Sequence, residues 1–142
     1  MLGQGWVQYA RRWGDRLVAV GEFGLDRSKT RGRALELQRS VFSDHLELAR
    51  TAALPVILHL VRADGLALEL LRELPPPHGG VVHAFSSQPE TIPAYAELGL
   101  SFGFGAGLLR FPKVREALRA APSDRFMFET DDPKDRYNLG EI

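Results

Sequence analysis

Four segments of this chain run from apolar residues into a side chain that can bind a metal. VAVGEFGLD carries Glu22, PVILHLVRA carries His59, GVVHAFS carries His83 and RFMFETDDP carries Asp131. Two carboxylates and two imidazoles form a nitrogen and oxygen donor set for a divalent cation. Such a cation polarises an ester or phosphoryl oxygen and activates a bound water, so the chemistry these residues point to is metal-dependent hydrolysis. Glu22 is the most telling of the four, because a carboxylate inside an apolar strand is costly unless it is paired or coordinated. His59 and His83 taken singly are ordinary strand-end residues. As a pair on neighbouring strands they become a candidate ligand set.

Other residues are weaker candidates. Arg62 follows His59 by three positions and suits an anionic substrate, with a rim salt bridge as its ordinary alternative. His45 lies on a helix stripe, where packing explains it, and His78 lies in a Pro/Gly turn. Three acidic residues crowd the end of RFMFETDDP, and chemistry alone does not choose among them. The SFGFGAG run matches neither the dinucleotide nor the P-loop spacing, so close backbone approach at a strand mouth is its better explanation.

These side chains need elements to position them. The spacing predicts strands at 17–23, 56–60, 81–85, 100–104 and 126–130. Helices are expected at 4–13, 33–53, 64–74, 89–98 and 112–121. In the second of these, Leu37, Val41, His45, Leu48, Ala49 and Ala52 recur at helical spacing. Asp64 is a candidate N-cap, Gly99 a helix stop and Pro112 a first-turn residue. Alternating strands and helices imply a parallel sheet with right-handed crossovers. Ligands in such folds sit at the carboxyl ends of the strands, where all four donors fall. Periodicity does not separate a barrel from an open sheet.

Composition narrows the class. The 142 residues suit one domain with a real core. Lys plus Arg and Asp plus Glu are 18 each, so no global positive field draws nucleic acid, and any phosphate contact must be local. Cysteine is absent, which excludes disulfides and thiolate metal sites. No apolar run approaches the roughly 20 residues of a membrane span. No membrane association is expected, nor a signal peptide at the N-terminus, and a cytoplasmic setting is.

VAVGEFGLD, ELQRSVFSDHLELA, LPVILHLVRA, GVVHAFSSQPE, LGLSFGFGAGLL and RFMFETDDP together resemble the TatD family of metal-dependent deoxyribonucleases, which are amidohydrolase-like TIM-barrel enzymes. The resemblance covers residues 17–133. It implies a (β/α)8 TIM-barrel-type α/β fold, here incomplete with about five parallel strands, as a single hydrolase domain over 1–142. It implies that Glu22 bridges two metals, that His59 and His83 bind one of them, and that Asp131 binds the other and orients or deprotonates the attacking water. Glu22 and Asp131 are thus the implied catalytic pair, Arg62 a substrate-binding residue and Asp26 a supporting carboxylate. The implied reaction is hydrolysis of nucleic acid phosphodiesters, with DNA as partner and Mg, Mn or Zn as cofactor.

The sequence departs from the family in one main respect. It has no Asp-x-His-x-His element, whose histidines bind one of the two metals, and its first histidine is His45. Glu22, His59 and His83 therefore supply one site, while a second has only Asp131 and a share of Glu22. Five strands also leave two open edges, through which a homo-oligomer could form. Two other readings stand beside the nuclease: a non-catalytic barrel fragment serving as a binding or assembly module, and a metal hydrolase of small esters or amides.

Overall fold

In a computed structural model of the chain, residues 8, 12–13, 16–28 and 33–131 are described. The strands are β1 (Val20–Asp26), β2 (Val56–Val61), β3 (Gly80–His83), β4 (Leu100–Phe104) and β5 (Phe126–Phe128). The helices are α1 (Arg33–Ala52), α2 (Asp64–Glu73), α3 (Ile92–Glu97), α4 (Gly107–Arg110) and α5 (Pro112–Ala120), and a 3-10 turn at Pro89–Thr91 leads into α3. Most of the helix expected at 4–13 lies outside the described residues, as does Asp132.

The strands form one sheet in the order β1-β2-β3-β4-β5, every neighbouring pair parallel. A doubly wound open sheet reverses its strand order at a switch point. Here the order never reverses, and right-handed crossovers in one direction put every helix on the same side. This is the winding of a (β/α)8 barrel, present as an arc of five strands.

Alternation along the strands places the core. Val56, Leu58 and Leu60 of β2, Val82 of β3 and Leu100, Phe102 and Phe104 of β4 are buried beneath the helices. Residues between them, including His59 and His83, take the opposite face. Phe85 fills the core against Phe102 and Phe104, with ring centroids 5.2 and 5.9 Å away.

Local departures from expectation have physical causes. β1 runs Val20–Asp26 rather than 17–23, and its register to β2 shifts between Val20 and Phe23, a bulge. Val20 pairs with Val56 but Phe23 with Leu58, so β1 carries one residue more than β2 over this stretch. The extra residue turns Phe23 and Leu25 into the core and leaves Glu22 on the open face. β3 ends at His83 rather than at residue 85, because Ala84 adopts φ 46 and Phe85 N–H donates to the Gly103 carbonyl at 2.8 Å.

The buried stripe of α1 is Phe42, Leu46 and Ala49, whereas Leu37 is 66% exposed and Val41 40%. The helix carries two adjacent apolar stripes, and Phe23 of β1 selects one by packing edge-on against Phe42 at 5.1 Å. Asp64 is not an N-cap. Ala63 occupies that position without a side-chain cap, and the Asp64 carboxylate instead accepts the Tyr95 hydroxyl at 2.9 Å. Gly99 does end its helix, with φ 79. The short helix α4, which begins at the last glycine of the SFGFGAG run, was not expected from the sequence.

Candidate metal centre

Glu22 is delivered by the β1 bulge, His59 by β2 and His83 by the last residue of β3. His59 and His83 are paired across the sheet, so their side chains share a face. Their rings stack at 5.9 Å. Glu22 spans them, with Oε1 3.4 Å from His59 Nδ1 and Oε2 3.3 Å from His83 Nε2. One donor atom from each of the three lies within 4.8 Å of the others. Donors bound to one cation at roughly 2.0–2.2 Å are separated by about 3–4.4 Å, so this set fits a divalent cation.

Asp131 lies beside this trio, its Oδ1 3.5 Å from His83 Nε2. The side chains grade from 61% exposed at Asp131 through 48% at Glu22 to 12% at His83. The cluster is therefore open to solvent at the carboxylates and closed behind His83, the arrangement a site needs to admit a substrate.

Glu129, one of the three acids that close RFMFETDDP, has a role that its local sequence does not show. Its Oε1 lies 3.0 Å from His83 Nδ1 and accepts the Ala84 backbone N–H at 2.5 Å. A carboxylate on one ring nitrogen holds the proton there and leaves the other nitrogen's lone pair free. His83 Nε2 is the atom that faces Glu22 and Asp131, so Glu129 presents the ring in its ligating form. The signal was in the alternation: Met127, Glu129 and Asp131 follow at a spacing of two, and Met127 pairs with Gly103. A Cβ at Gly103 would fall on the Glu129 carboxylate, which explains one glycine of the SFGFG run.

The remaining candidates sit elsewhere. Arg62, with φ 54, lines a neighbouring cavity with Asp64, Ser86, Ser87, Gln88 and Lys113. Asp26 caps the turn after β1, its Oδ1 accepting Ser28 N–H at 2.8 Å and Ser28 O–H at 2.5 Å. His45 packs on Phe23 at 4.9 Å with its Nδ1 2.7 Å from the Val41 carbonyl, a structural role. His78 is exposed.

Comparison with known proteins points to one family. Residues 5–137 match the family described as TatD related DNase. The "3'-5' ssDNA/RNA exonuclease TatD" of Rahnella sp. (strain Y9602) is 37% identical over 124 residues, covering 82% of this chain and 46% of that protein. The "Deoxyribonuclease Tat-D" of Schizosaccharomyces pombe is 32% identical over 120 residues, covering 83% and 38%. Among solved structures, the TatD homologue YJJV from Escherichia coli K12 superposes with a TM-score of 0.82 at 32% identity, over 96% of this chain and 53% of that one. The chain thus spans about half the length, or less, of the relatives it matches. A parallel β/α arc with a Glu-His-His donor cluster on one face of three adjacent strands, together with these likenesses, makes the chain a member of the TatD related DNase family.

Proposed function

We propose that the chain, as one unit over residues 1–142, is a metal-dependent hydrolase that cleaves nucleic acid phosphodiester bonds. The observation that carries the reading is the convergence of Glu22, His59 and His83 within 4.8 Å. A divalent cation held there, Mg, Mn or Zn, supplies Lewis acidity toward a phosphate oxygen and lowers the pKa of a bound water. Glu22, His59 and His83 are its ligands. Glu22 would also be shared with any second cation, for which Asp131 would be the other donor. Asp131, the most exposed of the four donor side chains, orients the attacking water and takes its proton. Arg62 meets substrate charge from the adjoining cavity. The printed activities of the Rahnella and fission-yeast relatives support nucleic acid as the substrate class.

A cytoplasmic setting and self-association through the β1 and β5 edges belong to the same reading. No helix among the described residues is long and apolar enough to cross a membrane.

The test is calorimetric titration of the purified chain with Mn²⁺, Mg²⁺ and Zn²⁺, alongside digestion of single-stranded DNA, RNA and small esters. The expected result is cation binding and DNA cleavage, both lost in Glu22→Ala and His83→Ala. Absence of binding for every cation, with Glu22→Ala behaving as wild type, would sink the proposal. Cleavage confined to the small esters would favour the ester hydrolase reading.

A further inference from the structure

Two cavities flank the segment that follows β3, and Ser86 lines both. The first, about 280 Å³, is lined in part by Glu129 and Asp131, so it borders the candidate metal centre. The small residues Ala84, Gly105 and Gly107 also line it, together with Phe111. The second, about 230 Å³, carries Arg62 and Lys113 with Ser87 and Gln88. Its one acidic member, Asp64, is engaged by the Tyr95 hydroxyl.

Phe111 is 51% exposed. A single exposed aromatic is ordinary on a protein surface. This one is set apart by its place, over a cavity that leads to two carboxylates of the metal centre. Its backbone is held extended at φ -122, ψ 117 immediately before Pro112. The ring edge lies over Gly107, where an added Cβ would sit 3.9 Å from Phe111 Cδ2. A ring supported on one edge and open to a cleft is a stacking platform. Two residues further on, Lys113 lines the cationic cavity. In a chain of zero net charge, this is the local positive charge that a phosphate backbone requires.

Resting on the nuclease reading above, we propose that the cleft across Ser86 is a track for single-stranded nucleic acid. One base stacks on Phe111, and the neighbouring phosphate is held by Lys113 together with Arg62. Base–aromatic stacking accepts any base, because every base has a π-face. The track therefore selects nucleic acid over a small ester without selecting a sequence.

Fluorescence anisotropy in EDTA tests this without turnover, using a labelled oligothymidylate and an abasic oligomer of equal length. Phe111→Ala should weaken oligothymidylate binding by about 5- to 100-fold and leave abasic binding unchanged. Phe111→Tyr, which keeps the ring, should bind as wild type. Lys113→Gln should lower the slope of log K against log salt by about 0.7, one phosphate contact on a single strand. Wild-type affinity in Phe111→Ala, or equal losses on both oligomers, would overturn the stacking role. An unchanged salt slope would remove Lys113 from the track. A Mn²⁺ titration of the same preparations separates the two proposals. Normal cation binding with unaltered oligomer binding in Phe111→Ala sinks the track alone. A wild type that binds no cation sinks the hydrolase reading, while the anisotropy result still decides the track.

Discussion

His83 is gripped from behind by Glu129 at 3.0 Å and faces Glu22 and Asp131 in front. The same Glu129 oxygen accepts the N–H of Ala84, whose φ of 46 is uncommon for a residue with a side chain. One carboxylate thus fixes both the ring tautomer and the backbone that ends β3. Glu129→Gln keeps the shape but replaces the carboxylate that accepts from His83 Nδ1 and fixes the ring. It should lower cation affinity by about 10- to 100-fold, read by calorimetry with Mn²⁺ or Zn²⁺. Unchanged affinity would show that the ring is oriented by packing alone. Glu129 was hidden in the sequence because three acids follow FMF closely, and nothing local says which one turns inward. Glu22, His59 and His83 were visible as candidate donors because each interrupts or closes an apolar strand, whereas only the family resemblance singled out Asp131 from its acidic neighbours.

Two glycines show how strands concede space to one another. At Gly103 of β4 a Cβ would strike the Glu129 carboxylate, a side chain that can swing aside. Gly103→Ala should therefore fold, lose about 1–3 kcal/mol by overpacking, and bind cations as weakly as Glu129→Gln. At Gly24 of β1 the Cβ would meet the backbone carbonyl of His59, which cannot move without breaking the β1–β2 ladder. Gly24→Ala should be severely destabilised, seen as a collapsed urea midpoint, and a wild-type midpoint would contradict the close approach. Between helices, Tyr95 of α3 donates to Asp64 of α2. Burial, reinforced by the Asp64 charge and hydrogen bond, pushes the Tyr95 hydroxyl well above its ordinary value. A raised folded-state pKa means that above about pH 10 the unfolded chain binds fewer protons than the folded one. Stability from this contact is full below that pH and declines as pH rises beyond it. Tyr95→Phe should flatten this alkaline decline in thermal melts, and an undiminished decline would assign it to other groups.

At the scale of the molecule, the arc formed by the described residues has two unpaired edges, β1 and β5. Met127 and Phe128 of β5 are 46% and 45% exposed, and Leu37 and Val41 add apolar surface on α1. Open edges beside exposed apolar residues favour pairing with another chain. Light scattering behind size exclusion should show mass rising with concentration, and Met127→Lys with Phe128→Lys should return it toward monomer. A concentration-independent monomer in the wild type would discount association through these edges. The candidate donors stay accessible, with the Asp131 and Glu22 side chains 61% and 48% exposed.

Local patterning was enough to name the α/β class, the five strands and Glu22, His59 and His83 as candidate donors, because strand alternation, helix period and turn residues act over a few positions. It also explained the helix stop at Gly99 and the close approaches in the Gly-rich run. It did not show which of two apolar stripes on α1 turns inward, the β1 bulge that frees Glu22, or the crossing of Glu129 over Gly103 to reach His83. Nor did it show the cavities that meet at Ser86. Each of these depends on contacts between residues far apart in the chain, where packing chooses among arrangements that are locally equivalent.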